Sequence, residues 1–257
     1  MSNIHATAIV SSDAKIGNDV TIGPFTVIEE NVEIGDGCEI SSSVQLGSGT
    51  SLGSKVRVFH GAVIGTIPQD LKFGGEETTA EIGDGTTVRE YATINRGTTD
   101  TYTTKVGKDC LLMAYSHVAH DCRIGNNCIM ANSVNLAGHI EVDDFAILGG
   151  VLPVHQFVKI GAHAMVGGGF RCQQDIIPYA MAGGYPMKIV GLNSLGLKRR
   201  GFAPETIKTL EQVYKFLFRS KLNTTQAVEQ IKSEIEPIKE VQMILDFLER
   251  SNRGIVK

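Results

Sequence analysis

The sequence has no uninterrupted apolar run of about 18 residues, the length that a helix needs to cross a bilayer. Its first residues, MSNIHATAIV, lack a basic segment followed by an apolar one, so no export signal is predicted. Basic residues do not outnumber acidic ones and the net charge is −4, so nothing favours binding to nucleic acid. These absences predict a cytoplasmic protein with no membrane insertion and no nucleic-acid partner.

What the sequence does contain is an apolar residue at every sixth position between Ile4 and Val166, a series that we call the ladder. Only Asp70, Glu76 and Asp100 interrupt it. Its apolar members are Ile4, Val10, Ile16, Ile22, Ile28, Ile34, Ile40, Leu46, Leu52, Val58, Ile64, Ile82, Val88, Ile94, Val106, Leu112, Val118, Ile124, Met130, Leu136, Val142, Leu148, Val154, Ile160 and Val166. A helix repeats every 3.6 residues and a strand every two, so the ladder predicts short strands separated by turns.

A second inward series lies two residues before the aliphatic one and holds small or β-branched residues such as Ala14, Val20 and Thr26. Glycine often follows the aliphatic residue, as at Gly17, and permits the backbone of a tight turn. Three strands would then make one triangular coil, and coils would stack at about 4.8 Å, the usual strand spacing. The ladder resembles the hexapeptide repeat of the left-handed parallel β-helix, and this resemblance supplies the handedness.

The five cysteines do not form a metal-binding or disulfide pattern. Cys38, Cys110, Cys122 and Cys128 all fall in the small inward series, where they replace Ala, Thr or Val. This placement favours buried, unpaired thiols over cysteine chemistry.

Two segments leave the repeat, and we expect them to be loops extruded from the coil near 66–81 and 96–105. Loops on a rigid scaffold often carry function, although these could equally be solvated spacers.

We divide the chain into a β-helix over 1–190 and a C-terminal helical domain over 191–257. In the second part, Pro204 suits a first helical turn, Asn223 or Thr224 could cap a second helix, and Pro237 could open a third.

Histidines are concentrated in one region, and none of them lies in either inward series. These histidines are His117, His120, His139, His155 and His163. His120 and His139 are one coil plus one residue apart, so they should occupy neighbouring coils at nearly the same edge. Such a cluster could bind zinc. It could equally supply a general base, because neutral imidazole is suited to taking a proton from a hydroxyl.

Several longer motifs are more specific than the ladder: HVAHDCRIGN (117–126), NLAGHIEVDDFAILGG (135–150), VHQFVKIGAHAMVGG (154–168), IPQDLKFGGE (67–76), INRGT (94–98) and GLKRRGF (196–202). Together they resemble the UDP-N-acetylglucosamine acyltransferase family of lipid A biosynthesis. The resemblance covers nearly the entire chain. It implies a homotrimer that takes an (R)-3-hydroxyacyl group from acyl carrier protein.

The same resemblance implies a role for three residues in the chemistry. His120 would be the general base that deprotonates the sugar 3-hydroxyl, Asp121 would support His120, and the backbone N–H of Gly138 would stabilise the oxyanion. Adjacent residues on a strand point to opposite faces, so His120 and Asp121 can meet only if a turn falls between them.

The resemblance also implies a set of binding residues. Substrate contacts would come from Gln69, Asp70, Lys72, His117, His139, His155, Gln156, Asn193, Arg199 and Arg200. Lys198, Arg199 and Arg200 form one compact basic run, suited to a phosphate group or to an acidic carrier protein. Met165 and Gly168 would line the groove of the acyl chain.

We therefore predict a direct O-acyl transfer that needs no metal and no cofactor. The sequence shows no nucleophilic Ser or Cys paired with a base that would form an acyl-enzyme. The alternatives are the N-acyltransferase of the same pathway, a zinc-dependent carbonic-anhydrase-like enzyme, and a non-enzymatic scaffold. The N-acyltransferase family has an additional N-terminal domain, whereas here the ladder begins at Ile4, so we expect the O-acyltransferase.

Overall fold

The computed structural model describes residues 2–257, and its first two-thirds is a left-handed parallel β-helix built from three sheets. Sheet A contains β1 Asn3–Ile4, β4 Thr21–Ile22, β7 Glu39–Ile40, β10 Arg57–Val58, β13 Thr87–Val88, β16 Leu111–Leu112, β19 Ile129–Met130, β22 Ile147–Leu148, β25 Met165–Val166, β26 Ala180–Gly183 and β27 Lys188–Leu192. Sheet B contains β2 Ile9–Val10, β5 Val27–Ile28, β8 Gln45–Leu46, β11 Val63–Thr66, β14 Thr93–Asn95, β17 His117–Val118, β20 Asn135–Leu136 and β23 Pro153–Val154. Sheet C contains β3 Lys15–Ile16, β6 Glu33–Ile34, β9 Thr50–Leu52, β12 Thr79–Ile82, β15 Thr103–Val106, β18 Arg123–Ile124, β21 Glu141–Val142 and β24 Lys159–Ile160.

The ladder residues stack on one another inside the coils. Leu136 lies opposite Val118 in the coil before and Val154 in the coil after, and Leu136 is fully buried. The second inward series is buried too, and all five cysteines are buried and free. The predicted β-helix is confirmed, and so is the interpretation of the cysteines as core residues.

Each corner of the triangle turns through a residue with a positive φ angle. Asp121 has φ of 60°, His139 of 63° and Phe157 of 64°, all in the left-handed region. These three residues occupy equivalent places in successive coils, at the corner where the chain passes from sheet B to sheet C. We call this edge of the triangle the B–C corner.

Both extruded loops leave the coil at the B–C corner. The segment 67–78 joins β11 to β12, and the segment 96–102 joins β14 to β15. Both are shorter than predicted, because Thr79 and Thr103 are already in strands. Equivalent residues of adjacent coils are normally 18 positions apart, but the two coils with loops take 30 and 24. The insertions are therefore two and one hexapeptides long, which explains why the ladder stays in phase across them.

The C-terminal part is helical: α1 Ser194–Arg199, α2 Pro204–Arg219, α3 Thr224–Glu234 and α4 Lys239–Arg250. Pro204 opens α2 as predicted, and Asn223 caps α3 in a capping box with Gln226. The third predicted helix begins at Lys239, two residues after Pro237. The strand β27 pairs antiparallel with β26 and crosses the predicted boundary at 190, so helix starts only at Ser194.

Within residues 2–257, no helix has both the length and the apolar character required to cross a membrane. After α4 the chain instead returns to the β-helix. Ile255 forms a parallel bridge with Asp175, and Ser251 donates a hydrogen bond of 2.6 Å to the Asp175 carboxylate. The last residues are thus attached to the end of sheet C.

Candidate active site

The B–C corner brings most of the predicted site residues together. The loop 67–78 carries Gln69, Asp70 and Lys72, and the following coils place His120, Gly138 and Gln156 at equivalent turn positions. All these groups therefore lie along one edge of a rigid stack of coils. Because every coil turns in the same way, the repeat by itself aligns residues that are distant in the sequence.

His120 and Asp121 meet because they occupy the turn. The left-handed backbone of Asp121 brings its carboxylate to the side of the His120 ring, and Nδ1 of His120 lies 2.8 Å from Oδ2 of Asp121. The turn that their contact requires is thus present. An Nδ1–H that donates to this carboxylate leaves Nε2 of His120 as the proton acceptor.

The Asp121 carboxylate is buried and is held by the loop 96–102. Thr98 donates from its backbone N–H and its hydroxyl, at 3.0 and 2.7 Å, and Thr101 donates likewise at 3.2 and 2.6 Å. Burial by itself would raise the pKa of Asp121, but the hydrogen bonds from Thr101, Thr98 and His120 outweigh it and lower the pKa to about 2. Asp121 therefore stays ionised at neutral pH.

This depressed pKa predicts a pH-dependent contribution of Asp121 to stability. The contribution is about 2 kcal/mol above the unfolded-state pKa of 3.8, and it disappears as the pH falls from there through about 2. The difference in free energy of unfolding between wild type and Asp121→Asn should therefore shrink below about pH 4, measured by denaturant titration. Thr101→Val removes one hydrogen-bond donor to Asp121 and should move the loss of the Asp121 contribution to higher pH. A difference that is constant down to pH 2 would contradict the prediction.

His139 packs against both neighbouring coils at the same corner. Its ring stacks on Phe157 with centroids 4.5 Å apart, and meets the His120 ring edge to face at 5.0 Å. Its Nε2 lies 3.6 Å from the Asp100 carboxylate of the loop 96–102. These contacts fix the His139 ring beside the catalytic candidate.

Gly138 lies directly against the His120 ring. A Cβ atom at Gly138 would stand 2.6 Å from Cε1 and 2.7 Å from Nε2 of His120. At the equivalent position of turns from sheet C to sheet A, the N–H of Asn18 and of Ser54 donates to an Asp side chain of the next coil. The Gly138 N–H donates no hydrogen bond within residues 2–257, so it is available to an oxygen atom bound beside His120.

A cavity of about 480 Å³ opens between the two loops and this corner. Among its walls are the predicted residues Gln69, Asp70, Lys72, His120, His139 and Gln156. Phe73, Glu76, Thr98, Thr99, Asp100 and Phe157 complete it. A basic nitrogen and charged loop residues therefore line one concave site, and the free N–H of Gly138 lies next to the His120 ring.

The other predicted residues lie outside this cavity in a single chain. His117, whose Nδ1 contacts the Thr93 hydroxyl at 2.7 Å, is on the outer face of sheet B, and burial together with the nearby His120 lowers its pKa. His155 comes directly after β23, which belongs to sheet B as well. Met165 is in sheet A and Gly168 is at the corner between sheets A and B.

The residues of α1 are also remote from the cavity. Asn193 is buried, accepts a hydrogen bond from the N–H of Gly196 and donates to the carbonyl of His163. Arg200 contacts Nδ1 of His163 at 3.1 Å, and burial, more than the nearby Arg200 charge, lowers the His163 pKa to about 4. Arg199 is exposed.

Several residues of the site were not predicted from the sequence, and four of them have a clear structural role. Thr98 and Thr101 fix Asp121, Phe157 supports His139, and Phe73 forms a wall of the cavity. Phe157 could have been found, because it lies one coil after His139. The threonines could not, since the path of an extruded loop does not follow the six-residue repeat.

His120, Asp121 and His139 also form a group that could hold a metal ion, with ligand atoms within 4.8 Å of one another. However, both Asp121 oxygens already accept hydrogen bonds from Thr98 or Thr101, and Oδ2 also faces Nδ1 of His120. A metal would have to displace several of these contacts. The geometry therefore favours a hydrogen-bonded His–Asp pair.

Comparison with known proteins gives matches along the entire chain. A family profile described as bacterial transferase hexapeptide (six repeats) matches residues 13–48 and 103–138, and one described as UDP N-acetylglucosamine O-acyltransferase, domain 2, matches residues 175–256. The acyl-(acyl-carrier-protein)–UDP-N-acetylglucosamine O-acyltransferase of Thiobacillus denitrificans is 50% identical over 258 residues, which are 100% of both chains. The enzyme of the same name from Albidiferax ferrireducens is 49% identical, again over 100% of both chains.

Solved structures agree with these sequence matches. The UDP-N-acetylglucosamine acyltransferase of Bacteroides fragilis superposes with a TM-score of 0.98 at 45% identity, covering 99% of this chain and 100% of that one. The Arabidopsis protein of that name superposes with a TM-score of 0.88 at 32% identity, covering 99% and 100%. By full-length identity and by fold, the chain belongs to the acyl-(acyl-carrier-protein)–UDP-N-acetylglucosamine O-acyltransferase family.

Proposed function

We propose that this chain transfers an (R)-3-hydroxyacyl group from acyl carrier protein to the 3-hydroxyl of UDP-N-acetylglucosamine, the first step of lipid A biosynthesis. The observation that carries the proposal is His120, which lines the cavity and has Asp121 hydrogen-bonded to its ring and Gly138, with its free N–H, packed against it. A base and an oxyanion donor at one point are what acyl transfer to a hydroxyl needs.

In this mechanism, Nε2 of His120 takes the proton of the sugar 3-hydroxyl while the oxygen attacks the thioester carbon. The charge on the thioester oxygen is stabilised by the N–H of Gly138. The C–S bond then breaks, and the proton passes from His120 to the departing thiolate. Asp121, ionised and buried, stabilises the imidazolium that exists between the two proton transfers. The acyl group moves directly from sulfur to oxygen, with no metal, cofactor or acyl-enzyme.

The loop residues Gln69, Asp70 and Lys72 would bind the sugar nucleotide. Lys72 is exposed at the mouth of the cavity, where a cation favours a diphosphate. His139 and Gln156, on the next two coils, would contact the sugar from the opposite wall. These assignments rest on the family resemblance, and the shared cavity supports them.

A homotrimer in the cytoplasm completes the proposal. Asn193, Arg199 and Arg200 lie away from the cavity of their own chain. A neighbouring subunit would therefore present Arg199 and Arg200, at the C-terminal end of α1, to the nucleotide, with Asn193 fixing the start of that helix. His117, His155, Met165 and Gly168 line outer surfaces of sheets A and B, where they would border the acyl chain and the sugar at the subunit boundary.

The test is an acyl-transfer assay with UDP-N-acetylglucosamine and a panel of 3-hydroxyacyl carrier proteins, with and without a metal chelator. We expect transfer to the sugar 3-hydroxyl that the chelator does not change. Acylation of the amine of UDP-3-O-acyl-glucosamine instead would identify the N-acyltransferase activity. Loss of activity on chelation would favour zinc chemistry at His120, Asp121 and His139, the one alternative that a specific cluster supports.

A further inference from the structure

A second cavity, of about 440 Å³, lies behind the catalytic corner, on the sheet C side. It shares His139 and Phe157 with the cavity described above, and Asp121 forms part of its wall. Its other walls are Thr101, the outward side chains of sheet C, and Asn252 and Arg253 of the C-terminal segment. The catalytic corner is therefore open on two sides, and the reaction has two substrates.

The outward face of sheet C near this rear cavity is a column of charges. In successive coils the register places Glu81, Lys105, Arg123, Glu141 and Lys159 next to one another. Lys105 pairs with Glu81, and Glu141 pairs with Lys159 and Arg250. Within residues 2–257, Arg123 has no anionic partner and its side chain is exposed.

Arg253, on the opposite wall of the rear cavity, is a second cation without an anionic partner among residues 2–257. Its Nε donates to the carbonyl of Gln173 at 3.3 Å, while its terminal nitrogens make no hydrogen bond to residues 2–257. The segment that carries it is firmly placed, because Arg250 binds Glu141 and Asp143, and Ser251 binds the buried Asp175. The return of the C-terminus thus positions a guanidinium beside the catalytic corner.

We propose that Arg123 and Arg253 form a rear subsite that binds a phosphate ester of one of the two substrates while the reacting atoms lie at His120. A guanidinium fork matches phosphate oxygens well, and Asp121 does not compete, because its oxygens are engaged by Thr98, Thr101 and His120. The phosphate belongs either to the phosphopantetheine arm of the acyl donor or to the nucleotide sugar. The inference rests on the proposed acyl transfer and adds two residues to it.

Steady-state kinetics of Arg253→Gln and Arg123→Gln test the subsite. We expect each variant to raise the KM of one substrate about tenfold, the effect of one charge-assisted contact, with kcat changed much less. Free phosphopantetheine and pantetheine serve as competing probes. If the donor supplies the phosphate, phosphopantetheine should inhibit the wild type more strongly than pantetheine, and the variants should not distinguish them. If the nucleotide supplies it, the KM of UDP-N-acetylglucosamine should rise and the donor KM should not.

Two controls separate binding from structure. Ser251→Ala loosens the same C-terminal segment without removing a charge, and Arg219→Gln removes an exposed charge at the end of α2. The subsite proposal is overturned if neither KM moves in the arginine variants, or if Ser251→Ala or Arg219→Gln reproduces the change. Wild-type protein that transfers no acyl group to UDP-N-acetylglucosamine would instead reject the proposed function itself.

Discussion

Replacing His120 by alanine should lower turnover by about 10²–10⁴-fold, the contribution of a positioned general base. The His120 ring lies at a turn, outside the buried ladder that holds the coils together, so we expect the β-helix to remain folded. Without this imidazole the cavity keeps His139, but its Nδ1 is 3.9 Å from the Asp121 carboxylate, too far for a hydrogen bond that would orient it as a base. The measurement is kcat with saturating donor and acceptor.

The matched control for this variant is His5→Ala, which removes an exposed histidine of the first coil. The kcat of His5→Ala should equal that of wild type, and both variants should remain folded, with one cooperative unfolding transition in denaturant. Turnover close to wild type in a folded His120→Ala protein would eliminate His120 as the base, and with it the mechanism derived above.

Gly138→Ala should reduce kcat by about 100-fold or more, although alanine adds a single methyl group. That methyl would stand 2.6 Å from Cε1 of His120, closer than real contacts allow, so the imidazole must rotate away. Rotation breaks its bond to Asp121 and displaces Nε2, and a shift of about 1 Å at a reacting atom can cost about 100-fold in rate.

Gly191→Ala is the appropriate comparison, because a Cβ at Gly191 meets nothing within 4 Å. That variant should retain wild-type kcat and stability. If Gly138→Ala were as active as Gly191→Ala, the requirement for close packing of His120 against Gly138 would be rejected.

The fold was predictable because every sixth residue faces the inside of the coil. From Ile22 onward a side chain at a ladder position within the coils, such as Leu112 or Leu136, is buried, so each must be apolar. The exceptions were equally informative. Asp70 and Glu76 mark the insertion of two hexapeptides, and Asp100 marks the insertion of one. A polar residue at a ladder position therefore shows where the chain leaves the coils of the β-helix.

The central part of the site followed from the same repeat. His120 and Gly138 are one coil apart, and Gln156 is one coil further, so their position in the sequence already aligns them. The contacts that hold His120 and Asp121 in place could not be predicted from the repeat. Whether His120 and Asp121 converge depends on the left-handed backbone of Asp121, and the hydroxyls that bind its carboxylate come from a loop outside the repeat.

The C-terminal part shows another limit of periodicity. The helix α2 was identified from Pro204 and its apolar spacing, whereas α1 has only six residues and β27 has no repeat to reveal it. The return of the last residues to Asp175 is a contact between distant parts of the chain. Such contacts are decided by tertiary packing rather than by local sequence.

The alignment of the coils also defines how the molecule can be redesigned. A whole coil of 18 residues could be inserted between β24 and β25, beyond the residues of the cavity, and the inward and outward positions on either side would keep their orientation. The cavity at His120 and the helices that follow would then move apart along the axis by about 4.8 Å. An enzyme with one coil more would offer a longer groove between these two fixed points, in steps that match roughly four carbon atoms of an extended chain.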